Sequence, residues 1–208
     1  EKLIDHLLSR SEFGEKMASS WLNVARYAED QAHQVGNDEK FFYPHAHRYR
    51  AWVIKSYNSD LPYNQFVRLQ LAADQIEGID DEDLVALGFL GLGPQYYDRG
   101  RLEVKAEEWE DNVDVVSRGF LGLTVACARC HDHKYDPITH EDYYRFRAIF
   151  EPHQVRLDPV PGETDFEKDG LPRVFDDHLD APTYLHLRGN PKDPDKTRLI
   201  EPGVPAIL

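Results

Sequence analysis

Apolar residues recur through the first 150 positions with the spacing of helices that bury one side. In SEFGEKMASSWLNVARYAED, Phe13, Met17, Trp21, Val24 and Ala28 follow one another at helical intervals, while Glu12, Lys16, Ser19, Asn23, Arg26 and Asp30 take the other side. That period predicts an amphipathic helix with Ser11 as its N-cap and Met17 in the buried stripe. A second helix is predicted over about 46–58, with Tyr49, Trp52, Val53 and Tyr57 facing inward. DLPYNQFVRLQLAAD starts another, with Pro62 in the first turn, where a missing N–H costs nothing. DDEDLVALGFLGLG opens on acids that suit a helix N-terminus and closes on glycines that end it. Before the cysteines, Trp109, Val113, Val116 and Phe120 form one stripe, and Glu107, Asp111, Asp114 and Arg118 a solvated opposite face. After them, THEDYYRFRAIF carries a capping-box pattern from Thr139 to Asp142.

From residue 151 the pattern breaks. Nine of the thirteen prolines fall in 151–208, between short β-like runs such as RVF and TYLHL, and proline at this density blocks long helices and central strands. The expected fold is mainly α: an irregular helical bundle around Cys127–His131, spanning residues 1–150, then a Pro-rich extended arm over 151–208 with a few short strands. The opening EKLIDHLL reads as a helix entered from upstream, so the chain is expected to be a piece of a larger polypeptide whose other domains are its first partners.

Charge narrows the partners. With 24 Lys and Arg against 38 Asp and Glu, the net charge is −14, which argues against a nucleic-acid backbone or an anionic lipid surface as partner. No apolar run approaches the roughly 20 residues of a membrane span.

Both cysteines of the chain lie in LTVACARCHDHKYDPITHEDYY, with His131, His133 and His140. Cys127-Ala-Arg-Cys130-His131 has the spacing of covalent haem attachment: two thiols reach the two vinyl groups, and the next histidine falls beneath the iron as proximal ligand. A zinc site would draw on Cys127, Cys130, His131 and His133, with His140 or His153 as substitutes, but four ligands within seven residues are strained and no second pair is present. A redox dithiol would need its first cysteine at a helix N-terminus in a βαβ setting. A buried, unliganded pair is the remaining structural alternative. Haem accounts for both thiols and the adjacent histidine together.

Beyond the motif, WLNVARYAED, YRAWVIKSYNSDLPYNQFVRLQLAAD, ALGFLGLGPQYY and DVVSRGFLGLTVACARCHDHKYDPI occur here in one order. Over roughly residues 1–150 they resemble the planctomycete-type cytochrome-like domain family of unknown function, a module of large exported proteins of planctomycetes and related bacteria. RGNPKDP and EPGVPAIL are similar to the segment joining that module to the next. The resemblance implies an extracytoplasmic location, where haem c is attached covalently. His33 and the HDHKYDP segment match one branch of that family; His45, His47 and His140 do not.

If His131 holds iron from one side, the other side sets the function. His33 is the first candidate distal group and His47 the second; the lone Met17 is better suited to packing. His133 is too close to His131 to reach the opposite face and suits a hydrogen-bonding role or a second metal, while Asp132 and Asp136 suit turn caps. The leading expectation is a c-type haem domain transferring one electron to a redox partner protein. The alternatives are a haem or metal enzyme with an open coordination position, peroxidase-like, and a non-catalytic scaffold with a structural Cys/His zinc site.

Overall fold

The computed structural model describes residues 1–29, 43, 45–94, 100–160, 162–165 and 168–208. These form two compact units, one of residues 1–94 and 155–174, the other of residues 95–154 and 175–208. The segment after residue 151 is thus shared between them. Among the described residues the chain is mainly helical, with two two-stranded sheets.

The first unit holds α1 (Lys2–Leu8), α2 (Ser11–Val24), α3 (His47–Asn58), α4 (Tyr63–Ala72) and the short α5 (Gly88–Gly91). The stripe that α2 buries is not the predicted one. Gly14, Ala18 and Trp21 are buried, whereas Met17 is 39% exposed and Val24 42%. The reason is close packing: Gly14 N–H donates to Asn58 Oδ1 of α3 at 2.9 Å, and a Cβ at Gly14 would lie 2.6 Å from that side chain. Small residues carry the tightest helix contact, and a reading weighted toward large apolar residues is turned by part of a helical turn. Ser11 is likewise the first helical residue and not the cap; Arg10 precedes the helix and no side chain caps it.

Around α2 and α3 the core is aromatic and carries one buried polar knot. Gln70, wholly buried on α4, accepts on Oε1 from Trp21 Nε1 at 2.9 Å and from the Tyr49 hydroxyl at 2.7 Å, and donates from Nε2 to Phe66 O at 2.9 Å. Phe66 meets Trp21 edge-on at 5.1 Å and stacks on Trp52 at 5.5 Å. Trp52 Nε1 donates to Asp83 Oδ1 at 2.8 Å, which holds α3 to the 3₁₀ stretch Asp81–Leu87. The acid-led helix predicted here is therefore a 3₁₀ stretch followed by α5. Its glycines face close neighbours: a Cβ on Gly88 would lie 3.1 Å from Tyr49, and one on Gly91 3.1 Å from the Arg173 backbone.

The second unit holds α6 (Leu102–Val116) and α7 (His140–Ala148). A π-helical turn, Ser117–Leu121, extends α6 and ends at Gly122 with φ +66°, a left-handed position that glycine takes without a Cβ clash. The capping box of α7 is formed as the sequence predicts: Asp142 N–H donates to Thr139 Oγ1 at 3.0 Å and Thr139 N–H to Asp142 Oδ2 at 2.9 Å. Strands β1 (His153–Asp158) and β2 (Leu171–Asp176) pair with each other, and β3 (Thr183–His186) pairs antiparallel with β4 (Pro194–Ile200). Among the described residues no helix is long and apolar enough to cross a membrane.

The Gln70 knot makes a stability prediction. Gln70→Ala leaves the Trp21 N–H and the Tyr49 hydroxyl without their shared acceptor in a dry core and opens a cavity. The expected loss is roughly 2–4 kcal/mol, measured by urea unfolding followed through tryptophan fluorescence.

Candidate functional site

The cysteine motif lies in the second unit on a 3₁₀ turn, Ala126–Arg129, reached from Gly122 through irregular chain. Val125 and Ala128 anchor this turn, at 1% and 0% exposure. Their alternation with outward residues leaves Cys127 exposed and Cys130 half-buried, both as free thiols. Neither a strand before Cys127 nor a helix after it is present, so the setting expected of a redox dithiol is not formed.

Two connections clamp the turn to the start of α7. Arg129 O accepts from His140 Nε2 at 2.8 Å and from the Tyr144 hydroxyl at 3.2 Å. Asp132 Oδ1 accepts from His140 N–H at 2.8 Å, so Asp132 caps the helix from eight residues upstream. The Arg129 side chain pairs with Glu110 of α6. Burial lifts the Glu110 carboxyl above its usual range, against the opposing pull of Arg129.

The three histidines of this region present different nitrogens. His131 Nδ1 lies 2.7 Å from Asp132 O. A carbonyl oxygen only accepts, so Nδ1 carries the proton and Nε2 of the neutral ring carries the lone pair. His133 is the reverse: its Nδ1 accepts from Asp136 N–H at 3.0 Å and from Tyr135 N–H at 3.4 Å, which leaves the proton on Nε2. The Asp136 carboxylate stands 3.2 Å from that Nδ1. His133 N–H also donates to Ile138 O at 2.8 Å. His133 and Asp136 are thus the framework of the HDHKYDP turn. His140 spends its Nε2–H on Arg129 O. Of the three, His131 is the one whose Nε2 is basic and whose side chain faces solvent.

The other candidates stand elsewhere. His33 lies outside the described residues. His47 begins α3 in the first unit and is exposed; His45 beside it takes a left-handed φ of 60° and lies 3.7 Å from Asp169 Oδ1. His153 Nε2 lies 3.2 Å from Asp176 Oδ1. Among the described residues no group of three or more His, Cys, Asp or Glu side chains is placed to hold a metal ion.

Sequence reading missed the buried charge behind the motif. Arg147 of α7 is 1% exposed. Its Nη2 lies 2.8 Å from Glu151 Oε1, its guanidinium stands 4.5 Å from the Tyr144 ring and 5.3 Å from the Trp109 ring, and its two Nη atoms lie 3.2 and 3.1 Å from the ring nitrogens of His186. Thr183 Oγ1 donates to Glu151 Oε2 at 2.8 Å and completes the pair's coordination. Burial holds the Tyr144 hydroxyl up at about 12, so it remains a donor to Arg129 O. The one signal available in sequence was the i, i+4 spacing of Arg147 and Glu151, which reads equally well as an exposed pair.

The sheet turn between β3 and β4 also reaches the motif. Gly189, with φ +73°, lies so close to Cys130 that a Cβ there would stand 2.7 Å from the thiol sulfur and 3.3 Å from Arg129 Nε.

Residues 1–155 match the family model described as PSCyt2, protein of unknown function (DUF1549). No curated protein and no solved structure matches the chain.

The His186 environment sets a pH dependence. Burial first, then the Arg147 charge and then His140, hold the ring's pKa down at about 3 against an ordinary 6.5. Between those values the unfolded chain binds a proton that the folded chain refuses, so this site's contribution to stability falls as pH drops from 6.5 toward 3. His186→Gln removes that contribution. Its urea midpoint is expected to fall less steeply than the parent's over this range, and parallel curves for the two proteins exclude the assignment.

Proposed function

We propose, from the premise that this chain belongs to the PSCyt2 (DUF1549) family of proteins of unknown function, that Cys127 and Cys130 are attachment thiols for a c-type haem and His131 its proximal ligand. The domain then serves as an extracytoplasmic one-electron carrier within a larger multidomain protein. The observation that carries this reading is the contact of His131 Nδ1 with Asp132 O at 2.7 Å, which spends Nδ1–H there and leaves the Nε2 lone pair of an exposed ring next in sequence to two free thiols. Metal-binding histidines characteristically tie their other nitrogen to a carbonyl or carboxylate in this way.

What supports the group is the order of donors along the chain: Cys127 lies in the 3₁₀ turn Ala126–Arg129, Cys130 is the residue that ends it, and the imidazole follows directly. With the group present, each thiol would add S–H across a carbon–carbon double bond, forming an S–C bond while the double bond becomes single and the thiol proton passes to the neighbouring carbon, with no oxidant consumed. When bound, the iron supplies a one-electron couple. The protein's own part is positional. Asp132 fixes the ring of His131 through its carbonyl and fixes α7 through its carboxylate, and Arg129 O ties the turn to His140 and Tyr144. His133, with Nδ1 turned to backbone donors, offers an N–H to its surroundings and not a lone pair; it suits hydrogen bonding to a haem carboxylate better than iron ligation.

The test is expression of the full chain, exported and matured with a haem-attachment system. A c-type pyridine haemochrome that survives denaturation is expected. Cys127→Ser and Cys130→Ser each leave one covalent link and a red-shifted haemochrome, while the double substitution abolishes covalent colour. His131→Ala keeps covalent haem and shifts the Soret band of the native protein. Colourless parent protein under conditions that mature a control cytochrome would falsify the reading.

A further inference from the structure

The two thiols of the motif differ in cover, and a segment that sequence assigned to a linker makes the difference. Cys127 and Cys130 share the turn at 126–130, yet Cys127 is exposed and Cys130 half-buried. Two groups flank the Cys130 sulfur. One is the Arg129 side chain, which pairs with Glu110 and borders the same Gly189 position as the sulfur. The other is the backbone of Gly189, placed where a Cβ would stand 2.7 Å from the sulfur. Only glycine allows a chain to approach a side chain this closely.

The turn that carries Gly189 is held shut by its own bonds. Leu187 N–H donates to Asp193 O at 2.9 Å, Asn190 N–H to Leu187 O at 3.0 Å, and Asp193 N–H to Asn190 O at 3.0 Å. Lys192 N–H donates to Asn190 Oδ1 at 3.1 Å. Upstream, His186 is buried against Arg147; downstream, Lys192 pairs with Glu103 of α6. Arg188 and Gly189 are consecutive left-handed residues, at φ 53° and 73°. A non-glycine residue such as Arg188 is sterically disfavoured there, so the tight turn is kept against a local preference.

We infer that the β3–β4 turn is a partial cover over Cys130, so that Cys127 is the first thiol of the pair to react and Cys130 reacts more slowly until Gly189 lifts away. The cover belongs to residues 183–200, beyond the 1–155 that match the family model. Its biological meaning rests on the proposed attachment role of the two cysteines: a planar group would be captured at Cys127 and closed at Cys130 in that order. The order of reactivity itself is a property of the protein without haem.

The experiment is pulsed alkylation of the reduced, haem-free full chain with N-ethylmaleimide, with each cysteine followed by peptide mass spectrometry. Cys127 is expected to label about tenfold or more faster than Cys130, since labelling of a covered group waits on local opening. Gly189→Ala places a methyl group against the sulfur and pushes the turn off, raising the Cys130 rate about tenfold with Cys127 unchanged. Arg188→Gly relieves the left-handed strain without touching the contact and keeps Cys130 slow. Equal labelling in the parent overturns the inference whatever the variants do, as does a Gly189→Ala protein of native circular dichroism with the parent's ratio. Unequal labelling without any haemochrome removes the haem reading and leaves the cover; equal labelling with a sound haemochrome does the reverse.

Discussion

A guanidinium withdrawn from water sets the terms for the second unit. Arg147 is 1% exposed, and an ion at such a site carries a desolvation cost of several kcal/mol that only close, well-oriented partners offset. Glu151 stands one helical turn on, supported by Thr183 of β3; His186 contributes a ring that remains neutral; Trp109 of α6 and Tyr144 of α7 present aromatic rings. Those partners come from α6, α7 and β3, so satisfying one charge brings three elements of the unit together. Tyr144 then carries the arrangement outward, because its hydroxyl donates to the carbonyl of Arg129 within the cysteine turn.

The turn itself is built to present some groups and withhold others. Val125 and Ala128 hold it down, while Cys127 and His131 are left facing solvent. Hydrogen bonds to backbone decide which nitrogen each histidine offers: Asp132 O takes the Nδ1 proton of His131, and the N–H groups of Tyr135 and Asp136 fill Nδ1 of His133. Two imidazoles two residues apart thus have opposite chemistry, one a base toward solvent and the other a donor. This division suits a single proximal ligand with a neighbouring polar contact, and it gives the proposed haem reading its physical content. The Gly189 turn adds a difference between the two thiols that their spacing does not contain.

The first unit is organised differently, around neutral polar groups within aromatic packing. Gln70 satisfies the indole of Trp21 and the phenol of Tyr49 with one oxygen, which fixes α2, α3 and α4 against one another. Buried polar atoms that share a single acceptor restrict the core to one arrangement, since any slip strands a donor without water.

Periodicity and local chemistry were legible in the chain by itself. The helical character of the first 150 residues, the Thr139–Asp142 capping box, the position of α3 and the turn role of Asp136 follow from spacing and side-chain type, because they depend on neighbours within a few residues, whereas Asp132 caps a helix that begins eight residues on. The C-x-x-C-H motif was equally plain, as were its candidate chemistries. Tertiary packing decided the rest. The buried face of α2 follows Gly14 and Ala18 because a second helix approaches them. Arg147 is a core residue because distant rings and a carboxylate surround it. The short strands expected in the proline-rich segment are present, RVF within β2 and TYLH as β3; what composition did not show is that the turn after β3 lies against Cys130. Which histidine is basic was beyond any sequence reading as well, for a tautomer is set by the atom that happens to face the ring, and only the folded chain puts that atom there.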